Sequence, residues 1–320
     1  MTDLHVIVGA GALGRAVARE LVSRGARVRL LSRSGHGRVD GAESLAVDVA
    51  DESALDAAFA GAAVIYQCAQ PEYVKWEVEF PLLQTRILDA AVRAGADLVI
   101  GDNLYAYGDP DGAVITESSP EKAVGKRSRL RKQMAEAALE AHRAGRLRVA
   151  ISRPSDYYGP GHDQSSKGIF VNALRGKSIQ FFGRTDVPHS FSYVPDAGRA
   201  MAILGTSDLG WGRVWIPPVQ TAITQAEFGA KVWVAAGQQG KPKISAITRT
   251  VAAPLALFVP IVKALIETLP HFEHPYVVDA SEFEHTFGVT ATSIDESISE
   301  TIDWYSTPTE QTKTGQPAVG

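Results

Sequence analysis

Short apolar runs alternate with alanine-rich segments over the first half of the chain. Six runs contain no proline and have the length of buried strands: Leu4–Val8, Arg27–Leu31, Ser44–Val47, Ala63–Gln67, Leu98–Gly101 and Arg148–Ser152. Between them, four segments place apolar residues at three- and four-residue spacing, as helices covering a sheet do: Leu13–Arg24, Ser53–Phe59, Phe80–Ala94 and Ser128–Arg143. This alternation predicts an α/β fold with a doubly wound parallel sheet and right-handed crossovers.

The character of the chain changes after Ser155, where glycine, proline and aromatic residues become frequent. We therefore expect residues 1–155 to form the sheet domain and residues 156–305 to form mostly a smaller C-terminal lobe. Segments near 190–200 and 213–216 are expected to return to the sheet domain.

Two segments near the C-terminus are interpreted separately. The longest apolar stretch, Val251 to Leu269, is interrupted by Pro254 and Pro260 and carries two charges. It falls short of the roughly 20 apolar residues that a bilayer requires, so it is predicted to be a buried helical segment. The polar stretch 306–320 has no apolar periodicity and is predicted to be disordered.

Composition and charge exclude several classes of partner. The chain of 320 residues is 45% hydrophobic and 21% charged, with a formal net charge of -4. Proteins that bind nucleic acids or anionic membranes carry an excess of basic residues. This chain has no such excess, so neither partner is predicted. The single cysteine, Cys68, excludes an intrachain disulfide, and no basic leader precedes Val6. We expect a cytoplasmic protein, monomeric or homodimeric, that acts on a small molecule.

A glycine-rich turn directly follows the first predicted strand. Residues 9–14 read G-A-G-A-L-G, a G-x-G-x-x-G sequence that opens a helix. In this context Gly9 permits a tight turn, Gly11 lets the backbone approach a pyrophosphate, and Gly14 lets the helix pack closely on the strand. The N–H groups of Ala12 and Leu13 would face the phosphates. The chain is therefore predicted to bind a dinucleotide on a Rossmann fold.

The residues after the second predicted strand distinguish between the two nicotinamide dinucleotides. A site that prefers NAD places a carboxylate there for the ribose 2′-hydroxyl. This chain has Ser32 and Arg33, followed by Arg38, with no acid before Asp40. Because a guanidinium is a forked donor suited to a 2′-phosphate, we predict that NADP(H) is preferred over NAD(H).

Further positions complete the predicted cofactor site. Asp48, at the end of the third strand, lies where a carboxylate could meet the adenine amino group. Alternatively it caps the next helix, for which Asp51 is the better candidate. Ala69 and Pro154, which follow the fourth and sixth predicted strands, are assigned to the same site.

Four other segments carry motifs. Asp102–Gly108 is similar to S-S-x-x-V-Y-G, Lys132 with Glu136 to Y-x-x-x-K-x-x-x-E, Arg153–Gly161 to R-P-x-x-x-Y-G-P-G, and Phe191–Asp196 to F-x-Y-V-x-D. Together with the glycine turn they resemble the short-chain dehydrogenase/reductase superfamily, in its extended branch of NAD-dependent epimerase/dehydratase-like proteins. The resemblance spans nearly the whole chain and implies an enzyme that uses a nicotinamide dinucleotide.

The resemblance also implies an altered catalytic set. In the family a Tyr exchanges the substrate proton, a Lys four residues later lowers its pKa and holds the nicotinamide ribose, and a Ser orients the carbonyl. Counting back four residues from Lys132 places Ser128 at the Tyr position, and counting back four from Tyr107 places Asn103 at the Ser position. The Asn103 amide can still donate to a carbonyl, but a serine hydroxyl is a poor proton donor. Lys132 either contacts the ribose or belongs to a solvated, basic helix start.

Another residue is therefore expected to exchange the proton. Tyr105, close to the carboxyl end of the fifth strand, is the first candidate, with the alternative that it packs beneath the cofactor. Tyr157 and Asp156 come next. With Tyr73, these residues are predicted to line the substrate site. His189 is expected at the surface.

These features predict an NADP(H)-dependent oxidoreductase of the atypical short-chain dehydrogenase type, acting on a carbonyl or hydroxyl of a small organic metabolite. One alternative is an epimerase or dehydratase that retains its cofactor. Another is a non-catalytic NADP(H)-sensing protein, which the lost Tyr and Ser favour. No metal site is predicted, because prolines bracket His271 and His274 and no H-E-x-x-H helix occurs.

Overall fold

The computed structural model describes residues 3–256, 258, 262 and 266–307. Its central strands are β1 Leu4–Val8, β2 Arg27–Ser32, β3 Ala42–Ala46, β4 Ala62–Gln67, β5 Asp97–Gly101, β6 Val149–Ser152 and β11 Val214–Trp215. They form a parallel sheet with the order β11-β6-β5-β4-β1-β2-β3. The chain builds outward from β1 in both directions, so β1 and β4 flank the switch point at which such sheets bind ligands.

Helices cover both faces of this sheet. The helices of the described chain are α1 Ala12–Ser23, α2 Glu52–Phe59, α3 Trp76–Ala94, α4 Lys126–Arg143, α5 Asp163–Ser166, α6 Asn172–Leu174, α7 Val194–Thr206, α8 Gln225–Ala235, α9 Arg249–Leu255, α10 Ser281–Phe287 and α11 Ile294–Ser306. One buried apolar cluster joins the sheet to α2, α3 and α4, and another joins it to α1 and α7. The predicted fold class, a doubly wound parallel sheet, is confirmed.

The helix α3 begins earlier than its apolar pattern predicts. Proline is favoured in the first turn of a helix, so Pro81 suggests a start at Phe80. In the structure the helix instead begins at Trp76. The Trp76 and Phe80 rings pack edge to face with their centroids 5.2 Å apart, so aromatic packing stabilises the additional turn.

Residues after Ser155 form a third apolar cluster beside the sheet. Its short strands are β7 Asp156–Tyr158, β8 Ile179–Phe182, β9 Pro188–His189, β10 Phe191–Tyr193, β12 Ile223–Thr224 and β13 Ile244–Ile247. They pair in twos, as β7 with β10, β8 with β13 and β9 with β12. Two segments of this half contact the central sheet, since α7 packs on α1 and β11 pairs with β6.

The C-terminal predictions are met only in part. In the stretch from Val251 to Leu269, the residues up to Leu255 belong to α9, and Ala252 and Leu269 are buried, whereas Val251 is 50% exposed and Phe258 is 84% exposed. The described part is therefore helical at its start and only partly buried. The predicted tail lies, beyond Thr307, outside the described residues. No described helix has the length and apolarity to cross a membrane.

Candidate active site

An elongated groove of about 670 Å³ runs along the carboxyl edge of the sheet. Val8, Leu31, Cys68 and Gly101 line it, and each lies at or beside the carboxyl end of a strand, namely β1, β2, β4 and β5. Open α/β sheets bind ligands at this edge because the loops after the strands converge there. The groove is therefore the expected dinucleotide site.

The glycine turn forms the floor of the groove at β1. Gly9 has a φ of +109°, and a Cβ there would lie 2.5 Å from the Ala69 nitrogen. A Cβ on Gly14 would fall on the carbonyl oxygen of Gly9, whereas a Cβ on Gly11 would meet nothing within 4 Å. Gly9 and Gly14 are therefore required by the packing of the chain itself, and the space beside Gly11 is open.

Backbone donors face the same open space. Ala12 and Leu13 begin α1 and line the groove, and no side chain caps the helix at Gly11. Uncapped N–H groups at a helix N-terminus, with the positive end of the helix dipole, form an anion site. Ala69, whose backbone nitrogen lies close to Gly9, also lines the groove.

The far end of the groove lies beside the loop after β2. Ser32 and Arg33 line the groove there, and Arg33 is exposed. Arg38 is exposed as well but does not line the groove, so the structure does not bring it to the predicted site. The acid that follows, Asp40, is likewise outside the lining. The Arg33 guanidinium therefore meets no lining carboxylate from this loop.

Asp48 and Asp51, which both follow β3, make different hydrogen bonds. Asp48 lines the groove, and its Oδ1 accepts from the Ala50 N–H at 2.9 Å. Asp51 caps α2, with its Oδ1 accepting from the Ala54 N–H at 3.0 Å, and this bond lowers the pKa of Asp51. Asp48 is therefore not used as the helix cap and remains available to a ligand in the groove.

A buried ionic cluster closes the other end of the groove. Asp102, directly after β5, accepts from Arg131 Nε at 2.7 Å and from Arg153 Nε at 2.9 Å. Arg153 also donates to Glu121 at 2.8 Å. Burial opposes the charge on Arg153, but the carboxylates of Asp102 and Glu121 outweigh it and raise the pKa of the guanidinium. Each charged group of the cluster has a partner of opposite charge, which offsets the cost of burying it.

The structure corrects the predicted register of α4. Lys132 does not line the groove; its ammonium donates to the Glu121 carbonyl at 3.4 Å and its side chain is 41% exposed. Arg131 lines the groove in its place. Four residues earlier stands Arg127, and Ser128 is buried at 3% exposure outside both cavities of the site. The buried stripe of α4 includes positions 127, 131, 134 and 138, and Lys132 falls beside it.

Two observations fit a dinucleotide in the groove. The first is the open space beside Gly11, which a pyrophosphate would fill. The second is Nη1 of Arg131, which is buried without a hydrogen-bond partner among the described residues. A buried guanidinium nitrogen without an acceptor is costly, and a ribose hydroxyl at that end of the groove would satisfy it. The residues present therefore suit the group that the sequence predicts.

A second cavity of about 150 Å³ continues from this end of the groove. The two share Gln70, Pro71, Asp102, Asn103, Tyr157 and His162 as lining residues. Tyr73, Tyr105, Asp156 and Tyr157, the predicted substrate residues, all line the second cavity. Pro154 lines this cavity as well, not the cofactor groove to which it was assigned. We call it the ring cavity, because aromatic and imidazole rings make up much of its wall.

Asn103 lies between the groove and the ring cavity. Its Oδ1 accepts a hydrogen bond from the Tyr105 N–H at 3.1 Å. This bond caps the short 3-10 helix Leu104–Tyr107. With Oδ1 engaged, the amide NH2 is the part of the side chain left to donate. Asn103 can therefore donate to an oxygen that lies between the two cavities.

Asp156 and His189 form a pair at the wall of the ring cavity. His189 Nε2 donates to Asp156 Oδ2 at 2.9 Å. The prediction that His189 lies at the surface is wrong, because its side chain is 1% exposed and stacks on Phe272 with the centroids 4.9 Å apart. Within the described part of the chain, Asp156 Oδ1 has no hydrogen-bond partner, and the carboxylate is 37% exposed.

The rings around Asp156 are held neutral by burial. Desolvation raises the pKa of Tyr105 and of Tyr157 well above the usual 10.0, so both phenols keep their protons. Desolvation also lowers the pKa of His271, and it lowers that of His162 to about 4. Of the two carboxylates that line this cavity, Asp102 is bound to Arg131 and Arg153, whereas Asp156 keeps one oxygen that has no hydrogen-bond partner among the described residues.

Several residues of the site escaped the sequence reasoning. Arg131, Trp76, His162, His271 and Tyr276 all line one of the two cavities. The buried stripe of α4 could have identified Arg131, because positions 127, 131, 134 and 138 follow helical spacing. His271 and Tyr276 come from more than 100 positions beyond the other residues that line the second cavity, and no local signal marks them. Among the described residues no group of three or more potential ligands could hold a metal ion.

The family comparison agrees with the fold and the groove. The NAD dependent epimerase/dehydratase family matches residues 5–212. A relative, the dTDP-glucose 4,6-dehydratase of Escherichia coli, is 25% identical over 168 residues. That alignment covers 50% of this chain and 41% of the relative, so the similarity spans less than half the length of that enzyme.

Solved structures of similar fold cover nearly all of the chain. The UDP-glucose 4-epimerase of Thermotoga maritima, with UDP-glucose, matches with a TM-score of 0.75 and 17% identity, over 95% of this chain and 98% of that one. The dTDP-glucose 4,6-dehydratase of Bacillus anthracis, in complex with NAD, matches with a TM-score of 0.77 and 16% identity, over 95% and 97%.

The family match spans more than half of the chain, and the structural matches share its fold. The resemblance to the extended short-chain dehydrogenase/reductase branch is thereby confirmed, together with a nicotinamide dinucleotide as the cofactor of the family. The chain belongs to the NAD dependent epimerase/dehydratase family.

Proposed function

We propose that this chain is an NADP(H)-dependent oxidoreductase that interconverts a carbonyl and a hydroxyl group on a small organic molecule. One observation carries the proposal. The dinucleotide groove runs from Arg33 at one end to Asn103 and Arg131 at the other, and there it opens into a cavity that holds the Asp156 carboxylate.

The choice of NADP(H) rests on the loop after β2. Arg33 lines the groove with Ser32, and no carboxylate from this loop stands where a ribose 2′-hydroxyl would need one. A guanidinium forms forked, charge-assisted bonds to a phosphate, and a carboxylate in that place would repel it. The solved relative from Bacillus anthracis holds NAD, so the proposed preference would distinguish this chain from that enzyme.

The residues at the nicotinamide end have two proposed roles, which are to hold the cofactor ribose and to stabilise the substrate oxygen. A bound nicotinamide supplies or accepts the hydride. Arg131 would hold the adjoining ribose through its unpartnered Nη1. The Asn103 amide NH2 donates to the substrate oxygen, which stabilises negative charge as it develops during reduction of a carbonyl.

Asp156 is the proposed proton-exchanging group. In the oxidation direction the hydride leaves the carbinol carbon, and the hydroxyl proton passes to the free Oδ1 of Asp156. Tyr105, the first candidate from the sequence, is a neutral donor whose pKa is raised well above 10.0 by burial and by its neighbours Tyr73 and Asp156. It can donate a hydrogen bond to substrate but cannot act as the base at neutral pH.

The experiment that tests this proposal separates binding from turnover. Thermal unfolding is measured with NADP⁺, NADPH, NAD⁺ and NADH, because a ligand stabilises the folded state by RT ln(1 + [L]/Kd). NADPH oxidation is then measured against a library of aldehydes and ketones. We expect NADPH to give the largest stabilisation, and turnover with at least one carbonyl compound. No stabilisation by any dinucleotide would overturn the whole proposal.

Arg33→Ala tests the cofactor preference, with Arg38→Ala as its matched control. Loss of the Arg33 guanidinium should weaken NADPH binding by roughly 1.5–3 kcal/mol, the scale of a hydrogen bond to a charged group, with little change for NADH. Arg38 lies outside the groove, so Arg38→Ala should leave both affinities unchanged. An equal loss for the two cofactors in Arg33→Ala would contradict the assignment.

A second candidate is a non-catalytic NADP(H)-binding protein. It is favoured by the residues at the family Tyr position, where the helix presents Arg127 and, next to it, the buried Ser128. Neither residue replaces a phenol as an acid. Stabilisation by NADPH without oxidation of the cofactor across the carbonyl library would favour this candidate over the enzyme.

A further inference from the structure

We infer that the ring cavity takes a small, uncharged, ring-bearing alcohol or ketone, and that it excludes nucleoside diphosphate sugars of the kind that the UDP-glucose-bound relative holds. The inference rests on the proposed function, since it names the substrate class of the same site. Three properties of the cavity carry it, namely its volume, its charge and its walls.

The volume of the ring cavity suits a single ring. It measures about 150 Å³, a volume that accepts a benzene-sized guest. Pockets that bury larger ligands span roughly 300–1,000 Å³. The adjoining groove of about 670 Å³ offers no additional room once a dinucleotide fills it. A sugar carrying a nucleoside diphosphate does not fit the remaining space.

The charge of the ring cavity opposes a phosphorylated substrate. Among the described residues that line it, the charged ones are Asp102 and Asp156, and none is a lysine or an arginine. His162 and His271 add no positive charge near neutral pH, since burial lowers the pKa of both. A diphosphate would thus face a carboxylate, and none of the described residues of the wall supplies a cation to bind it.

The guanidinium groups around the wall are already paired with carboxylates. Arg127 stacks over the Tyr73 ring at 4.7 Å and donates from Nη1 to Glu267 at 3.1 Å. Arg131 and Arg153 are both bound to Asp102. The positive charge of these groups is therefore offset by carboxylates, which weakens their attraction for a diphosphate, whereas a neutral substrate requires no free cation.

The walls supply what a neutral ring needs. Tyr73 and Trp76 pack edge to face with their centroids 4.8 Å apart, and Tyr105 lies 5.6 Å from the His271 ring. Aromatic faces and edges of this kind stack on a flat guest. The free Oδ1 of Asp156 accepts from a hydroxyl, and the Asn103 NH2 donates to a carbonyl. One end of the substrate is therefore polar, and the rest is a ring.

The test compares neutral ring probes with a nucleotide sugar on the full chain. Saturation-transfer NMR is recorded with NADP⁺ present, using 1-phenylethanol, cyclohexanol and UDP-glucose at equal concentrations. We expect both ring alcohols to bind and UDP-glucose not to bind. Comparable binding of UDP-glucose, or the absence of binding by either ring alcohol, would overturn the inference.

Two variants locate the probe. Asp156→Asn keeps the shape of the side chain but weakens the acceptor, so 1-phenylethanol should bind about fivefold more weakly, the scale of one hydrogen bond. Asp186→Asn is the matched control, because that carboxylate is exposed and pairs with Arg184 away from the cavity. The control should bind the probe as the unmodified chain does.

A second measurement does not depend on Asp156. A brominated probe, 1-(4-bromophenyl)ethanol, quenches the fluorescence of a tryptophan that it contacts, and Trp76 lines the cavity. We expect quenching that saturates with probe and that is lost in Trp76→Phe. Unchanged quenching in Trp76→Phe together with unchanged binding in Asp156→Asn would place the probe elsewhere and overturn the inference.

The experiment distinguishes failure of this inference from failure of the proposed function. NADPH stabilisation is measured on the same samples, so loss of cofactor binding is seen separately from loss of probe binding. Stabilisation by NADPH with binding of UDP-glucose would retain the oxidoreductase and reject the ring substrate. Binding of the ring alcohols without stabilisation by any dinucleotide would retain the ring substrate and reject the oxidoreductase.

Discussion

The carboxylate of Glu267 accepts a hydrogen bond from the backbone N–H of Arg127 at 2.8 Å, across 140 positions of sequence. Arg127 is the second residue of α4, whose first turn contains no acidic residue and whose N-cap, Gly125, offers no side chain. Glu267 therefore supplies the missing cap from a distant segment. That segment leads directly into His271 and Tyr276, so the cap ties the wall of the ring cavity to α4.

Glu267→Ala should reduce stability by about 1–3 kcal/mol. The substitution removes a helix cap and leaves the largely buried Arg127 guanidinium without its carboxylate, and both losses have costs on this scale. Urea unfolding followed by circular dichroism measures the change. The control is Glu140→Ala, because the Glu140–Arg143 pair is exposed on both sides and should contribute almost nothing. Equal effects in the two variants would contradict the capping role.

Gly11 and Gly14 should respond differently to substitution by alanine. A Cβ on Gly11 meets nothing within 4 Å, so Gly11→Ala should fold with unchanged stability and lose NADPH affinity by tenfold or more, which corresponds to about 1.4 kcal/mol. A Cβ on Gly14 would fall on the Gly9 carbonyl, so Gly14→Ala should fail to fold or melt far earlier. Thermal unfolding with and without NADPH measures both. Unchanged NADPH affinity in Gly11→Ala would contradict the assigned phosphate site.

Arg131 and Lys132 provide a direct test of the corrected register. Lys132→Ala should keep its NADPH affinity, because the ammonium lies outside the groove against Glu121. Arg131→Lys keeps one charge near Asp102 but cannot reproduce the forked geometry, so it should weaken NADPH binding and lower the melting temperature. Calorimetric titration of each variant with NADPH measures the two affinities and shows which side chain contributes to binding. A larger loss of affinity in Lys132→Ala than in Arg131→Lys would restore the original alignment.

His162 should make the folded state sensitive to mild acid. Burial lowers its pKa from 6.5 to about 4, so between those values the unfolded chain binds a proton that the folded chain does not. Stability from this residue is therefore complete above pH 6.5 and falls as the pH drops toward 4, by up to roughly 3 kcal/mol. Urea unfolding from pH 7 to pH 4.5 measures the slope, and His162→Gln should reduce it. An identical slope in His162→Gln would assign the effect to other groups.

The sheet and the glycine turn were predictable because their signals are local. The strand β1 was predicted with its exact bounds from five consecutive residues, and Gly9, Gly11 and Gly14 follow it at fixed spacing. The same local rule failed for Lys132. A motif aligned on residue type chose the lysine, whereas the side that α4 presents to the sheet is set by helical spacing and selects Arg131.

The ring cavity was only half predictable. Tyr73, Tyr105, Asp156 and Tyr157 follow strands β4, β5 and β6, so the rule that ligands bind at carboxyl ends of strands identified them. His189 was misplaced because its burial depends on rings that arrive from a distant segment, Phe272 and Tyr276. Contacts of that kind depend on the tertiary path of the chain, and no spacing within the sequence encodes them.

The lining residues shared by the groove and the ring cavity predict an order in which the dinucleotide and the substrate bind. Asp102, Asn103, Tyr157 and His162 each face both spaces, so a dinucleotide in the groove completes one side of the ring cavity. We expect the ring cavity to be a complete substrate site only after the dinucleotide has bound. Steady-state kinetics would then follow an ordered mechanism, with the nicotinamide dinucleotide first on and last off.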